Sequence, residues 1–398
     1  MRKKTQKRDG AAVDRWLLFS VFFLLGIGII MVYSAGSAVS DNLHGTPSFF
    51  AWRQVIFALA GTFFLLVLRQ VNYRWLAALA VPILILAYVL LLSVFSPLGV
   101  KVGGATRWID LGLLNFQPSE YARFAFIVYL SFFMSRNPES MDRWWPGILW
   151  PLILTGAMVG IFMVQPDFGS SVLLCATVGI MLFVGGARIA HLAMLAATAA
   201  PLAVAAVIFA PYRLARLLTY IHPERDPLGA GYHINHSLMA FGSGGVWGAG
   251  FGDGIQKLHY LPAPHTDFIF AVLGEEVGLW GVCVVIGLFG VIIWRGLRLA
   301  RVVDDPFASF LAFGMVGAIG LSAVVNMGVT MGLLPTKGLT LPFISYGGSS
   351  LVFNLIYVGV LCSIARVHGV PPSAAEVRKE EKAALQARQA TAEGGATA

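Results

Sequence analysis

The chain has 398 residues, of which 57% are hydrophobic and only 12% are charged, and its mean hydropathy is +0.76. Soluble domains carry about twice that charged fraction, so the composition excludes a soluble globular protein and predicts a polytopic membrane protein. The formal net charge of +8 does not indicate nucleic-acid binding, because the basic residues are scattered between apolar runs and are not gathered on one surface.

Apolar segments recur along the chain at lengths close to the roughly 20 residues that a helix needs to cross a bilayer. The basic N-terminus resembles a secretory signal, but the apolar run after it is longer than a signal requires, and we interpret it as a retained first helix. The fold class is therefore an all-α membrane protein, a polytopic bundle of ten transmembrane helices. The predicted spans are 16–36, 52–69, 75–96, 118–136, 145–165, 168–187, 189–210, 268–294, 307–333 and 348–366.

An even number of spans places both chain ends on the same side of the membrane. Most basic residues that flank the spans fall on that side, so the positive-inside rule makes it cytoplasmic. This divides the chain into a basic cytoplasmic tail at 1–15, a transmembrane domain at 16–368 and a cytoplasmic tail at 369–398 whose composition is typical of disorder. The long connection at about 211–267, between helices seven and eight, is then a large external loop.

This external loop ends in an acid at the edge of a membrane span. Asp267 could act as a general base beside a cavity, or it could cap the helix that follows, since Thr266 and Asp267 directly precede an apolar run. Other acids lie near or inside spans, where a charge persists only with a partner or a cavity. They are Glu120, Asp167, Glu275 and Glu276, and of the last two, which are adjacent, we expect one to face the interior and pair with a basic residue.

Several basic side chains fall on the external side, against the trend of the positive-inside rule. An anionic ligand such as a lipid pyrophosphate would explain them, and contact with headgroups or with external acids is the alternative. Histidines in the external loop suggest zinc, but their spacing matches no metal motif, and we assign no metal ligands. The external cations that we consider are Lys101, Arg107, Arg123, Arg213, Arg216, Arg225, Lys257 and Lys337.

Four motifs, in this order, resemble the signature of the SEDS family, which comprises FtsW, RodA and SpoVE. They are QPDFG at 165–169, GSGG at 242–245, KLHYLP at 257–262 with HTDFIFA at 265–271, and LPFISYGGSS at 341–350. The stretch at 337–342 is more similar to the FtsW type than to the RodA type. Two positions differ from the usual family sequence: Ala263, where the family often has Glu, and His233, where it usually has Gln.

The resemblance implies a membrane glycosyltransferase that polymerises lipid II at the outer face of the bacterial cytoplasmic membrane, using an undecaprenyl pyrophosphate-linked glycan as donor. It also implies a class B penicillin-binding protein as partner and, for the FtsW type, other divisome proteins at the septum. Asp267 corresponds to the essential acid of the family. Candidate contacts to pyrophosphate or sugar are Lys101, Arg107, Trp108, Arg213, Arg216, Lys257, Lys337, Ser345 and Ser349, and candidate supporting residues are Glu120, Asp167, His265, Thr266, Glu275 and Glu276.

Three alternatives stay open at the level of sequence: a lipid II flippase, a RodA-type polymerase of cell elongation, and a scaffold that only recruits a transpeptidase. A flippase should carry polar residues through the full membrane depth, whereas the unusual motifs here gather on the external side. No cofactor is assigned, although a divalent cation could assist the departure of pyrophosphate.

Overall fold

A computed structural model describes residues 14–102, 105–110, 112, 115–221, 231–258, 261, 263–336 and 338–369. Most of both predicted tails lies outside these residues. The described chain forms a helical bundle and one small sheet. Its α-helices are α1 (Arg15–His44), α2 (Phe49–Gln70), α3 (Arg74–Ala78), α4 (Ala80–Ser93), α5 (Pro118–Arg136), α6 (Trp150–Val164), α7 (Phe168–Val184), α8 (Ile189–Ile208), α9 (Pro211–Ile221), α10 (Tyr232–Gly244), α11 (Ile269–Val302), α12 (Pro306–Thr330) and α13 (Gly348–His368).

Every predicted span coincides with helix. The third span contains α3 and α4, and the fifth begins with a π-helical turn at Trp144–Leu149 before α6. Within the described residues, six helices are long and apolar enough to cross a membrane, while α4, α7 and α8 are shorter apolar helices. The total of ten spans and the position of the external loop therefore remain predictions.

The expectation of an all-α protein is incomplete, because the connection between α4 and α5 forms an antiparallel sheet. Its strands are β1 (Gly99–Val102), β2 (Ala105–Asp110) and β3 (Asn115–Phe116), in the order β1-β2-β3. Side chains alternate between the two faces of a strand. The pairing with β1 breaks this alternation at Arg107: Val100 pairs with Trp108 and Lys101 with Thr106, so Arg107 is the extra residue of a β-bulge, a feature that re-aims a side chain.

Close backbone approach holds α2 against α13. A Cβ atom at Gly359 would lie 2.9 Å from the Leu65 Cα, and one at Gly61 would lie 3.3 Å from the Val352 Cα. Glycines at such crossings let two helix backbones pack directly, which is a main source of stability where lipid removes the hydrophobic driving force between helices.

The helix α11 is broken at Gly278, whose φ of 71° and ψ of −165° lie outside the helical region. The break frees backbone carbonyls that a continuous helix would satisfy. The loop after α10 satisfies them instead: the Ala249 N–H donates to the Glu275 carbonyl at 2.9 Å, and the Gly250 N–H donates to the Glu276 carbonyl at 3.1 Å. The loop and the broken helix thus form one hydrogen-bonded unit.

Gly278→Ala should lower the free energy of unfolding by at least about 2 kcal/mol, because its backbone conformation is nearly exclusive to glycine. A Cβ there would also lie 2.4 Å from the Gly248 nitrogen. The matched control is Gly287→Ala on the same helix, where a Cβ meets no atom within 4 Å and should be neutral or slightly stabilising. Thermal unfolding in detergent compares them, and equal unfolding temperatures would contradict the strain argument.

Candidate active site

Asp267 lies in the turn just before α11 and is partly buried. The helix starts at Ile269, its capping position is Phe268, and no side chain makes a capping hydrogen bond there. The capping alternative for Asp267 is therefore wrong. The Asp267 carboxylate instead faces a segment that lies much later in the chain, near Gly338.

The turn at residues 263–268, which we call the acid turn, is held through three consecutive backbone carbonyls. The carbonyls of residues 265, 266 and 267 accept hydrogen bonds, in that order, from the Tyr346 N–H at 2.9 Å, the Ser345 hydroxyl at 2.6 Å and the Asn326 side-chain amide at 3.0 Å. Such bonds fix the backbone from which a catalytic side chain extends.

Two of these donors belong to residues 338–346, which we call the facing segment. Ser345 is buried, and its hydroxyl also accepts from the Leu341 N–H at 2.8 Å. This places Ser345 as a brace between the two segments, so its position does not support the predicted contact with substrate. At the start of the facing segment, a Cβ on Gly338 would lie 3.3 Å from the Asp267 Oδ2. The carboxylate therefore faces Gly338.

Beside Gly338 lies a cavity of about 100 Å³. One wall comes from β2 through Arg107, a second from the start of α7 through Asp167 and Phe168, and a third from α9 through Arg216. Gly338 thus lies beside the Asp267 carboxylate and also lines a cavity that contains two guanidinium groups.

Burial raises the pKa of the Asp267 carboxyl from its ordinary value of 3.8 to about 7, and the positive charges of Arg216 and Arg107 oppose part of that rise. A carboxyl with such a pKa is substantially ionised at neutral pH yet binds a proton readily. This is the property required of a general base, and it results from the burial of the acid turn.

The two cavity arginines differ in how they are held. Arg107 donates through Nη2 to the Pro166 carbonyl, while its buried Nε has no hydrogen-bond partner within the described chain. Arg216 is exposed on α9. Arg213 belongs to the same helix, and its predicted contact with pyrophosphate or sugar stays a prediction. An anion in the cavity would meet guanidinium donors from two different elements.

Two of the predicted supporting acids have structural partners. Asp167 caps α7, accepting from the Ser170 N–H at 3.1 Å and the Ser170 hydroxyl at 2.7 Å. Glu120 forms a buried ion pair with Arg123 at 2.6 Å, and Arg123 also donates to the Ser322 hydroxyl at 2.9 Å. Asp167 thus holds the start of α7 and lines the cavity, whereas the Glu120 pair ties α5 to α12.

The adjacent acids of α11 divide their roles as expected. Glu276 forms a buried ion pair with Lys257 at 2.6 Å, and Glu275 accepts from the Ile255 N–H at 2.8 Å and the Gln256 N–H at 3.2 Å. Lys257 also donates to the Ser34 hydroxyl at 2.8 Å. Because its ammonium is engaged in the interior, the position of Lys257 does not support the predicted contact with substrate, and we regard it as a supporting residue.

The His265 side chain has a packing role. Its ring stacks on Phe50 with centroids 4.3 Å apart, and burial lowers the pKa of the imidazole to about 4. The ring is neutral at physiological pH and stabilises the acid turn. Thr266 donates to the Ala263 carbonyl at 3.1 Å within the same turn. In the part of the chain that the structure describes, no group of three His, Cys, Asp or Glu side chains could hold a metal.

Of the remaining predicted residues, three lie on β1, β2 and α13, and one lies outside the described chain. Lys101 is exposed on β1, and Trp108 is half-buried on β2. The Ser349 hydroxyl accepts from the Gln117 N–H at 3.0 Å, which ties α13 to the entry of α5. Lys337 lies outside the described residues, so its predicted contact with pyrophosphate stays a prediction.

Two residues of the site were missed by sequence reasoning, Asn326 and Gly338. A lone asparagine inside the apolar run of α12 is a usable signal, because a polar side chain at that depth needs a partner. Gly338 carries no such signal, since only the folded chain brings it beside a carboxylate.

Comparison with known proteins extends over nearly the whole chain. A family model described as Cell cycle protein, named for FtsW, RodA and SpoVE, matches residues 15–369. The probable peptidoglycan glycosyltransferase FtsW of Trichlorobacter lovleyi is 42% identical over 356 residues, which cover 89% of this chain and 93% of that relative. Stage V sporulation protein E of Bacillus subtilis is 39% identical over 354 residues, which cover 89% and 97%.

Solved structures agree with the sequence comparison. One comes from work on the structural coordination of polymerization and crosslinking by a peptidoglycan synthase complex; it matches with a TM-score of 0.74 and 30% identity, covering 90% of this chain and 99% of that one. The rod shape determining protein RodA of Thermus thermophilus matches with a TM-score of 0.66 and 27% identity, covering 90% and 98%.

Proposed function

The chain belongs to the FtsW, RodA and SpoVE family of cell cycle proteins, and on that premise we propose that it is a peptidoglycan glycosyltransferase that polymerises lipid II with Asp267 as general base. One observation carries the proposal. A carboxylate with a pKa of about 7 lies against Gly338, which lines a cavity that also contains Arg107 and Arg216.

The reaction is an inverting glycosyl transfer. Asp267 accepts the proton of the sugar 4-hydroxyl of the acceptor lipid II, and the resulting oxygen attacks the anomeric carbon of the donor glycan. The bond from that carbon to the pyrophosphate breaks, and undecaprenyl pyrophosphate leaves with the bonding electron pair. General-base catalysis of this kind contributes about 100- to 10,000-fold.

The leaving pyrophosphate gathers negative charge as the bond breaks. Guanidinium groups that are already in place around a cavity stabilise that charge as it develops. Their contribution to the rate is often as large as that of the base. Arg107 and Arg216 are placed for this role, and Arg213 and Lys337 are further candidates. A divalent cation could share the charge.

The proposal extends to the membrane arrangement of the protein and to its partners. We propose ten spans with both termini in the cytoplasm and the loop at 211–267 outside, in a bacterial cytoplasmic membrane. The structural relative from a peptidoglycan synthase complex supports a class B penicillin-binding protein as partner. Relatives named FtsW support a role in septal synthesis beside other divisome proteins, with a RodA-type role in elongation as the alternative.

Purified protein with its partner, given labelled lipid II in detergent, tests the activity through the glycan strands that form. Absence of polymer from the wild-type protein would overturn the assignment and leave the flippase and scaffold alternatives. A flippase would instead move labelled lipid II between the leaflets of a vesicle without making polymer.

The rate of polymerisation should rise with pH through about 7 and level off above it, because the base acts only when ionised. In Arg216→Gln, the rising limb should move to higher pH, since the positive charge that lowers the pKa of Asp267 is gone. Initial rates from pH 5.5 to about 9 measure both profiles.

The control for this prediction is Arg188→Gln, which removes an exposed arginine that pairs with Asp142. Its profile should superimpose on that of the wild type. An unshifted limb in Arg216→Gln would contradict the electrostatic coupling of Arg216 to Asp267.

A further inference from the structure

A single polar side chain reaches the acid turn from a membrane helix in the described chain. Asn326 lies in α12 among apolar neighbours and is 1% exposed. The other two donors to the carbonyls of residues 265–267 come from the facing segment itself, which is a loop. Asn326 therefore connects the turn to the rigid helical bundle.

Asn326 makes two bonds through one nitrogen. Its Nδ2 donates to the Asp267 carbonyl at 3.0 Å and to the Leu339 carbonyl at 2.5 Å. Asp267 and Leu339 belong to the acid turn and the facing segment, and Gly338 lies directly before Leu339. The two bonds thus set the distance between the residue that carries the carboxylate and the segment that this carboxylate faces.

The oxygen of the Asn326 side chain argues against a purely stabilising role for this residue. Its Oδ1 is buried and has no hydrogen-bond partner in the described residues. A buried carbonyl oxygen without a partner costs stability. An apolar residue of similar shape would avoid that cost, so the amide is best explained by what its nitrogen holds.

We propose that Asn326 is a positioning residue for the reaction: it fixes the backbone of Asp267 against the facing segment and so orients the carboxylate toward the acceptor hydroxyl. The proposal rests on Asp267 being the base. Misplacement of a reacting group by about 1 Å can reduce a rate about 100-fold. Asn326 touches neither cavity arginine, so its loss should affect the chemical step and not the binding of substrate.

The test compares Asn326→Leu and Asn326→Asp with the wild type, each purified with the partner and assayed at increasing lipid II. For Asn326→Leu we expect kcat to fall about 10- to 100-fold while KM stays within about twofold. For Asn326→Asp we expect a smaller loss, because a neutral carboxyl group keeps one donor for the two carbonyls. The matched control is Thr155→Val, which removes a buried hydroxyl that bonds within its own helix and should leave kcat unchanged.

Wild-type kcat in Asn326→Leu overturns the proposal, and so does a raised KM with unchanged kcat. If Asn326→Leu does not fold, as judged by its thermal unfolding in detergent, Asn326→Ala, which also removes the donor, carries the same test, and its wild-type kcat is equally decisive. Asp267→Asn in the same assay separates the two hypotheses. If Asp267→Asn still makes polymer, the assignment of Asp267 as the base is overturned. If Asp267→Asn is inactive while Asn326→Leu is fully active, only the role of Asn326 is overturned.

Discussion

Asp267→Asn should reduce the polymerisation of lipid II by about 100- to 10,000-fold, because the amide cannot accept the proton of the attacking hydroxyl. The substitution keeps the size of the side chain, and the backbone bonds that hold residues 265–267 do not involve the carboxylate. Polymer yield from labelled lipid II measures the effect. Undiminished polymer would contradict the assignment of the base.

The same substitution should not destabilise the protein. The folded protein holds the pKa of Asp267 near 7, above its ordinary value of 3.8, so folding favours the protonated acid. That contribution is complete below the unfolded pKa and is lost as the pH rises through about 7. A neutral Asn avoids the loss, and at pH 8 its unfolding temperature should equal or exceed that of the wild type. A lower value would mean that the loss of polymer reports misfolding.

Lys257→Met should lower the free energy of unfolding by about 3–5 kcal/mol, because it leaves the Glu276 carboxylate buried without its cation. The two side chains are 5% and 0% exposed and lie 2.6 Å apart. Chemical denaturation in detergent measures the change. The double variant Lys257→Met with Glu276→Gln should recover most of the loss, since neither charge of the pair then remains buried.

An exposed ion pair gives the control for this second prediction. Arg188 and Asp142 lie 3.0 Å apart with side chains 64% and 50% exposed. Arg188→Gln should cost less than about 1 kcal/mol, because water screens both charges. Equal costs for Arg188→Gln and Lys257→Met would show that the Lys257 pair is solvated in the native protein.

The helices could be predicted from sequence because their signals are local. The span predicted at 118–136 matches α5 to the residue, since Pro118 stands at its first position and the charged residues that flank its apolar run mark its ends. The pairing of Glu276 could also be anticipated, because a buried acid requires a cation. What sequence could not decide was which of the two adjacent acids would take it.

The features that were missed depend on residues far apart in the chain. The capping alternative for Asp267 could not be dismissed from the local sequence, and that Gly338, 71 positions later, lies beside its carboxylate is visible only in the fold. The sheet between α4 and α5 was hidden because its strands are short and its turns fall in a stretch that reads as loop. The Lys257 ammonium could equally have faced a ligand, until the fold placed Ser34 and Glu276 around it.

The break in α11 makes the shape of this helix depend on the loop that precedes it. In lipid, every backbone polar group must be satisfied within the protein. The carbonyls of Glu275 and Glu276 accept from the N–H groups of Ala249 and Gly250, so the break is stable only while that loop is docked. Undocking of the loop would favour a continuous α11, in which both carbonyls regain helical donors.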